Sequence, residues 1–266
     1  MDLGLRDKVV LITGGTRGIG LRSARAFALE GCRLGICGRD GGDLERASEE
    51  LRAGGHSVAA VRADVCVPED ASRFVDQCVA ELGGVDVLVN NVGSSYGGGL
   101  MESTDEHWET TFGVNLLQTV RMIRLVVPHM QKRGGGSVVN VSSISGWEPQ
   151  LASTGQYGSS KAALIFLAER LALELARHRI RVNTVSPGSI IWSEEGGGWD
   201  NFRKEHPESF AKYVRDGFPM GRLGKPEEVA DVIVFVASPR ANWINGRNIP
   251  VDGLEQPVPT DESRPW

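Results

Sequence analysis

Short runs of aliphatic and β-branched residues alternate with longer amphipathic stretches from one end of the chain to the other. The runs Lys8–Thr13, Arg33–Gly38, Ser57–Arg62, Asp86–Asn90, Ser137–Ser142, Ile180–Ser186 and Arg247–Val251 read as strands. Between most of them, Gly18–Glu30, Leu44–Ala53, Glu69–Leu82, Asp105–Leu117, Val120–Lys132, Gln156–His178 and Pro226–Ala237 carry helical patterning, and Pro226 suits a first helical turn. A run such as Val9-Val10-Leu11-Ile12 has no polar alternation, so its strand needs cover on both faces. Strands that alternate with helices join in parallel through crossovers. The pattern predicts an α/β fold: one doubly wound, seven-stranded parallel sheet with helices on both faces. No internal repeat or boundary interrupts it, so residues 1–266 read as a single domain.

Composition narrows the classes of function. Apolar residues are 41% and charged residues 24% of the 266, ordinary values for a globular chain. Lys and Arg total 29 against 34 Asp and Glu, and the net charge of −5 argues against a nucleic-acid partner. No stretch approaches the roughly 18 apolar residues of a membrane span, and Met1–Asp7 lack an apolar leader core. No membrane partner and a cytoplasmic location are expected. Cys32, Cys37, Cys66 and Cys78 form no C-x-x-C pair and read as reduced packing residues, and the five histidines show no metal-ligand spacing.

Directly after the first strand comes Thr13-Gly14-Gly15-Thr16-Arg17-Gly18-Ile19-Gly20, opening a helix. Glycines there admit positive φ and close backbone approach, and the helix amino end supplies positive potential, which together suit a pyrophosphate. The surrounding strand–turn–helix–strand unit makes a dinucleotide the natural occupant. The spacing G-x-x-x-G-x-G, with its leading threonine, resembles the short-chain dehydrogenase/reductase family, and a Rossmann-like sheet is what that resemblance implies. It extends over roughly Leu5 to Gly253. Asp64-Val65 resembles the family's adenine-binding pair, Asn90-Asn91-Val92-Gly93 its N-N-A-G motif, and Pro187-Gly188-Ser189-Ile190 the turn flanking the nicotinamide, with the Ile190 backbone reaching the carboxamide. Cofactor contacts are therefore expected from Gly14, Thr16, Arg17, Gly18, Ile19, Gly20, Arg39, Asp64, Val65, Asn91, Gly93, Pro187, Gly188 and Ile190.

An acidic residue at the end of the second strand would repel a ribose 2′-phosphate. Here Gly38 takes that place, followed by Arg39, with Arg17 in the glycine turn. Two guanidiniums suit a phosphate dianion, so NADP(H) is the expected cofactor. The alternative is that both arginines are solvated surface residues, with Arg39 paired to Asp40 or Asp43.

Tyr157-Gly158-Ser159-Ser160-Lys161 is Y-x-x-x-K, and on a helix the two chemistry-bearing side chains share a face. A positive charge about 5 Å from the phenol at an effective dielectric of about 20 favours phenolate by roughly 3 kcal/mol, lowering its pKa by about two. The family resemblance implies that Tyr157 passes a proton to the carbonyl oxygen and that Ser143, rather than Ser142, hydrogen-bonds it. It also implies that Lys161 holds the nicotinamide ribose while Asn115 anchors a proton path to Lys161. Tyr157 and Lys161 thus count among both catalytic and cofactor contacts. Enoyl reductases of this fold space Tyr and Lys more widely, which disfavours double-bond reduction, and a non-catalytic dinucleotide sensor would be expected to lack Tyr157 or Lys161. An NAD-dependent alcohol or sugar dehydrogenase is the alternative within the family.

Residues 189–223 lose regular alternation and gather Trp192, Trp199, Phe202, Tyr213, Phe218 and Met220 around Gly196-Gly197-Gly198, which reads as a substrate-binding lid. Packing of a small helical cap is the plainer reading of the same aromatics. Ser94, Tyr96, Trp147, Trp192 and Trp199 are the candidate walls of a pocket for a small apolar or aromatic carbonyl or alcohol substrate. Trp192 stands where the family often has a cofactor-contacting threonine, and Leu254 where it commonly has glycine. Residues 254–266 form a Pro-containing tail. The resemblance implies a homotetramer or dimer.

Overall fold

In a computed structural model of the chain, residues 1–149, 153–191 and 198–256 are described. Their order is β1 (Val9–Thr13), α1 (Gly18–Leu29), β2 (Arg33–Gly38), α2 (Gly41–Ala53), β3 (Val58–Arg62), α3 (Pro68–Leu82), β4 (Val87–Asn90), α4 (Asp105–Phe112), α5 (Gln118–Lys132), β5 (Gly136–Val141), α6 (Gly155–Leu175), β6 (Ile180–Pro187), α7 (Gly198–Glu205), α8 (Pro207–Gly217), α9 (Pro226–Ala237) and β7 (Asn248–Val251).

The seven strands form one parallel sheet, as the alternating pattern predicts, and their order in it is β3-β2-β1-β4-β5-β6-β7. Successive residues of a strand point to opposite faces, and the core divides accordingly. Val10 and Ile12 of β1 pack with Phe27 of α1, Leu51 of α2 and Ile233 of α9. Val9 and Leu11 pack on the other side with Phe74 of α3, Val126 of α5 and Ala172 of α6. Burying each large aliphatic or aromatic side chain contributes about 1.5–3 kcal/mol, so this two-sided cover is what makes the central strands uniformly apolar. All four cysteines carry free thiols, and burial pushes those of Cys32 and Cys37 up to about 12.

Thr13 of β1 lies opposite Cys37 of β2 and Asn90 of β4, and Asn90 lies opposite Asn140 of β5. The carboxyl ends of the central strands therefore finish level, and the turns leaving them share one rim. The strand order reverses between β1 and β4, where crossovers leave to opposite sides and open a crevice.

Three local differences from the sequence pattern have physical causes. Helix α2 begins at Gly41 rather than Leu44 because the Asp40 carboxylate accepts the Asp43 N–H at 2.8 Å and caps the earlier start. The predicted helix Asp105–Leu117 ends at Phe112; Gly113–Leu117 widens into a π-helical turn that runs directly into α5. Part of the segment 189–223 is regular after all, as α7 and α8; Trp199 and Tyr213 from these helices join Phe218 and Leu223, which follow α8, in an apolar cluster separate from the two main layers. Trp192, Gly196, Gly197 and the tail beyond Gln256 lie outside the described residues.

Candidate active site

The glycine turn between β1 and α1 is tied to β4 before any cofactor is considered. Thr13 Oγ1 accepts the backbone N–H groups of Asn91 at 3.0 Å and Val92 at 3.3 Å, and Asn91 Nδ2 donates to the carbonyls of Thr13 and Gly14. Gly14 and Gly18 hold φ of 64° and 52°. A Cβ at Gly20 would stand 2.1 Å from the Gly14 carbonyl oxygen, so only glycine lets α1 approach the turn this closely. Ile19 and Gly20 lie in the first turn of α1, whose extended N-cap residue is Arg17. The bare backbone and the amino end of a twelve-residue helix fit a dinucleotide pyrophosphate.

The rim beside β2 lacks an acid. At Gly38 a Cβ would meet the Thr16 side chain at 2.7 Å, so Thr16 already occupies the space an acidic side chain would need. Arg17 is exposed. Arg39 is neither paired to Asp40 nor to Asp43: its guanidinium lies 3.9 Å from Asp64, Asp40 caps α2, and Asp43 pairs with Arg46. The Asp64 carboxylate also accepts the Cys66 N–H at 3.0 Å, which fixes the turn carrying Val65.

The residues expected to carry proton transfer converge across the ends of β4, β5 and the start of α6. The Thr154 side chain caps α6, and Tyr157 and Lys161 follow one turn apart. Lys161 is buried, its Nζ donates to the Val141 carbonyl at 3.0 Å, and it lies 5.5 Å from the Tyr157 ring centre. Ser143, just beyond β5, lies near enough to the Tyr157 phenol to lower its pKa, while Ser142 turns inward and donates to the Lys161 carbonyl. That geometry separates the two adjacent serines.

Asn115 sits in the π-helical turn and is fully buried. Its amide donates to the Ser94 carbonyl at 2.8 Å and to Ser160 Oγ at 2.9 Å, and its oxygen accepts the Ser94 N–H at 3.1 Å. A Cβ at Gly93 would fall 2.8 Å from Asn115 Oδ1 and 2.9 Å from Lys161 Nζ, so Gly93 is the point at which the two meet. Widened turns of this kind recur at functional sites because they redirect one side chain without breaking the helix.

The electrostatics correct the expectation drawn from spacing. Burial lowers Lys161 to about 8, and burial raises Tyr157, with Ser143 opposing it. Desolvation of both groups outweighs the charge that the spacing suggested. An ammonium that loses its proton near pH 8 is neutral before an ordinary phenol ionises, so it offers that phenol no full charge. Tyr157 is a phenol at neutral pH.

The remaining predicted wall residues take different places. Tyr96 donates its N–H to Thr111 Oγ1 at 3.3 Å, and its carbonyl accepts from the buried Gln156, which also donates to Ser103 Oγ at 3.1 Å. Sequence reading passed over Gln156, although it immediately precedes Tyr157. Trp147 is about half-exposed after β5. Trp199 stacks on Tyr213 at 4.8 Å, within the aromatic cluster of the cap. Pro187 and Gly188 leave β6, and Ile190 is buried beside Gly224, to which it bridges. Among the described residues, no group of three or more His, Cys, Asp or Glu could hold a metal, and no helix is long and apolar enough to cross a membrane.

A nucleotide crevice at the strand-order reversal, with a Ser–Tyr–Lys set beside it, defines a dinucleotide-dependent oxidoreductase. The family comparison agrees: a family model described as Enoyl-(Acyl carrier protein) reductase matches residues 14–253. The chain belongs to the short-chain dehydrogenase/reductase family. It is 39% identical over 250 residues to Dehydrogenase/reductase SDR family member 4 of Oryctolagus cuniculus, covering 94% of each chain. The Homo sapiens protein of that name is 38% identical over 250 residues, 94% of this chain and 87% of that one. L-sorbose reductase from Gluconobacter frateurii, solved with NADPH and L-sorbose, superposes with a TM-score of 0.89 at 33% identity, over 96% of this chain and 100% of that one. A 7α-hydroxysteroid dehydrogenase solved with NADH and 7-oxoglycochenodeoxycholic acid gives 0.88 at 27% identity, over 97% of both chains.

Proposed function

We propose that the chain is an NADP(H)-dependent carbonyl reductase that interconverts a ketone and a secondary alcohol. The observation that carries this reading is the convergence of Ser143, Tyr157 and Lys161 beside the Asn115–Gly93 contact at the sheet's crevice. The reduced nicotinamide, when bound, supplies the hydride. Tyr157 donates its phenol proton to the carbonyl oxygen, and Ser143 donates a hydrogen bond to the same oxygen. Lys161 spends one N–H on Val141 and has two left for the nicotinamide ribose hydroxyls. Asn115, with its side chain committed to Ser94 and Ser160, keeps the π-helical turn in place as the anchor of a proton path to Lys161.

The missing acid at Gly38, with Arg17 and Arg39 along the rim, supports NADP(H) over NAD(H). The sorbose reductase carries NADPH, whereas the hydroxysteroid dehydrogenase carries NADH, and each was solved with a carbonyl-bearing ligand. The substrate class is a 3-oxo ester or thioester, or another apolar or aromatic ketone, admitted beneath the cap at 198–217. Exposed Leu117, Phe166 and Leu173 give α6 and the turn before α5 an apolar outer stripe that supports a homotetramer or dimer, which light scattering would test. A cytoplasmic location accompanies this reading.

The deciding experiment is a panel of ketones and 3-oxo thioesters assayed by consumption of NADPH and of NADH. Turnover with at least about a tenfold kcat/KM preference for NADPH is expected, equal to one lost phosphate contact. A strong NADH preference would instead indicate an NAD-dependent alcohol or sugar dehydrogenase. Inactivity across the panel with intact cofactor binding would indicate a dinucleotide sensor.

A further inference from the structure

The turn after β7 carries a buried carboxylate that the proton-transfer chemistry does not use. Glu255 is only 4% exposed. Its Oε2 accepts the Ser189 backbone N–H at 2.6 Å, and its Oε1 accepts the Ser189 hydroxyl at 2.8 Å and the Tyr213 phenol at 3.1 Å. The two hydroxyls lie 3.2 Å from each other, which closes the cluster. One carboxylate thereby joins the turn after β7, the loop after β6 and helix α8. Next to it, the Gln256 N–H donates to the Gly217 carbonyl at the end of α8 at 2.8 Å.

The cluster is tight and held under strain. A Cβ at Gly188 would stand 2.7 Å from Glu255 Oε2, so the loop reaches the carboxylate only because that residue is glycine. Leu254 is held at φ 63°, a left-handed conformation that a side-chain-bearing residue adopts only under constraint. Through Tyr213, stacked on Trp199 at 4.8 Å, the connection extends to α7.

We propose that Glu255 is a positioning residue that latches the α7–α8 cap to the loop Gly188–Ile191. The cap and the loop beside the crevice then keep one relative placement. This rests on the carbonyl-reductase reading for what the two elements do, but not for the latch itself. The groups facing the carboxylate are Ser189 from the loop, Tyr213 from α8 and Asp252 from its own turn; burial, followed by Asp252, raises its pKa against the hydrogen bonds.

Amide hydrogen exchange on the free protein tests the latch without cofactor or substrate. Glu255→Ala should accelerate exchange in both 188–191 and 207–217 by about tenfold, the loss of one charge-assisted hydrogen bond, while the β1–β5 amides stay protected. Glu255→Gln keeps an acceptor for the Ser189 N–H and should exchange like the parent. Tyr213→Phe, a milder change, should loosen 207–217 alone. Parent-like exchange in either segment of Glu255→Ala would overturn the proposal. With a substrate from the panel, Glu255→Ala should lower kcat/KM about tenfold, and Tyr213→Phe introduced on top of it should add nothing further; additive losses would also overturn it. An inert panel leaves the exchange result standing, so the two readings fail separately.

Discussion

Lys161→Met deletes a buried ammonium and keeps a side chain of similar length. The charged form of Lys161 is disfavoured in the fold, because its pKa drops from 10.5 to about 8 on burial. At about 1.4 kcal/mol for each pKa step of one, retaining the charge at neutral pH costs about 3 kcal/mol of stability. Methionine removes that cost but leaves the Val141 carbonyl without its 3.0 Å donor, a loss of about 1 kcal/mol. The variant should therefore be more stable than the parent by about 2 kcal/mol near pH 7, while activity falls by at least about a hundredfold. In a chain of this size that is a rise in Tm of roughly 4–8 °C.

The sign of the pH dependence separates this cause from better packing. Between pH 8 and 10.5 the unfolded lysine keeps a proton that the folded lysine has released, so this group makes the parent more stable as pH rises. The buried thiols act oppositely above their ordinary pKa of 9, since Cys32 and Cys37, held near 12, keep protons that the unfolded chain loses. Comparing parent and variant at each pH cancels the thiols. Urea denaturation followed by tryptophan fluorescence, at fixed protein concentration, should show the variant's advantage shrinking above about pH 8 and reversing by about pH 10. An advantage that stays constant with pH, or a variant less stable at neutral pH, would refute the reasoning.

Tyr157→Phe should reduce kcat by about a thousandfold and leave the NADPH Kd within about twofold, measured by nucleotide fluorescence, because the phenol proton acts only on the reacting oxygen. Gly38→Asp combined with Thr16→Ala, which clears the 2.7 Å contact, should move the kcat/KM ratio toward NADH by at least about tenfold. Gln156→Leu strips the donor from the Tyr96 carbonyl and Ser103, and should raise the carbonyl KM about fivefold with a smaller change in kcat. Leu254→Gly relieves a positive φ against a greater unfolded-chain entropy, and should raise stability by about 0.5 kcal/mol in the same urea assay.

The strands, their alternation with helices and the glycine turn were legible because each is written in neighbouring residues: an unbroken apolar run, a glycine spacing, a helix start. Tyr157 and Lys161 were legible for the same reason, as one helical turn sets their separation. Spacing carries distance but not burial, so the phenol's pKa was read with the wrong sign. The π-helical turn that holds Asn115 is not marked in its own residues, since the run Gly113-Val114-Asn115-Leu116-Leu117 is equally compatible with an ordinary helix. Glu255 was invisible because its partners lie 66 and 42 residues away, on a loop and a helix that meet only in the fold. The cap aromatics pack across α7 and α8, as Trp199 does on Tyr213 and Phe202 on Phe210, as well as within α7, so their full cluster is not written in one helix's periodicity.

In the carbonyl reduction proposed above, with Tyr157 as the acid, the order of ionisation prepares the site for proton transfer. A general acid must hold its proton when the carbonyl arrives, and burial favours the neutral phenol of Tyr157. Lys161, at about 8, remains mostly charged near neutrality, and lies close enough to favour the phenolate left when that proton departs. The ammonium thus has its largest effect after the proton has moved, when negative charge appears on the phenol oxygen. Such an arrangement stabilises the charge that develops in the transition state rather than the resting phenol, which is the condition for an interaction to accelerate a reaction. In the proposed reaction the stability cost assigned to Lys161 is consistent with that timing, because the buried charge would acquire its anionic partner only during turnover.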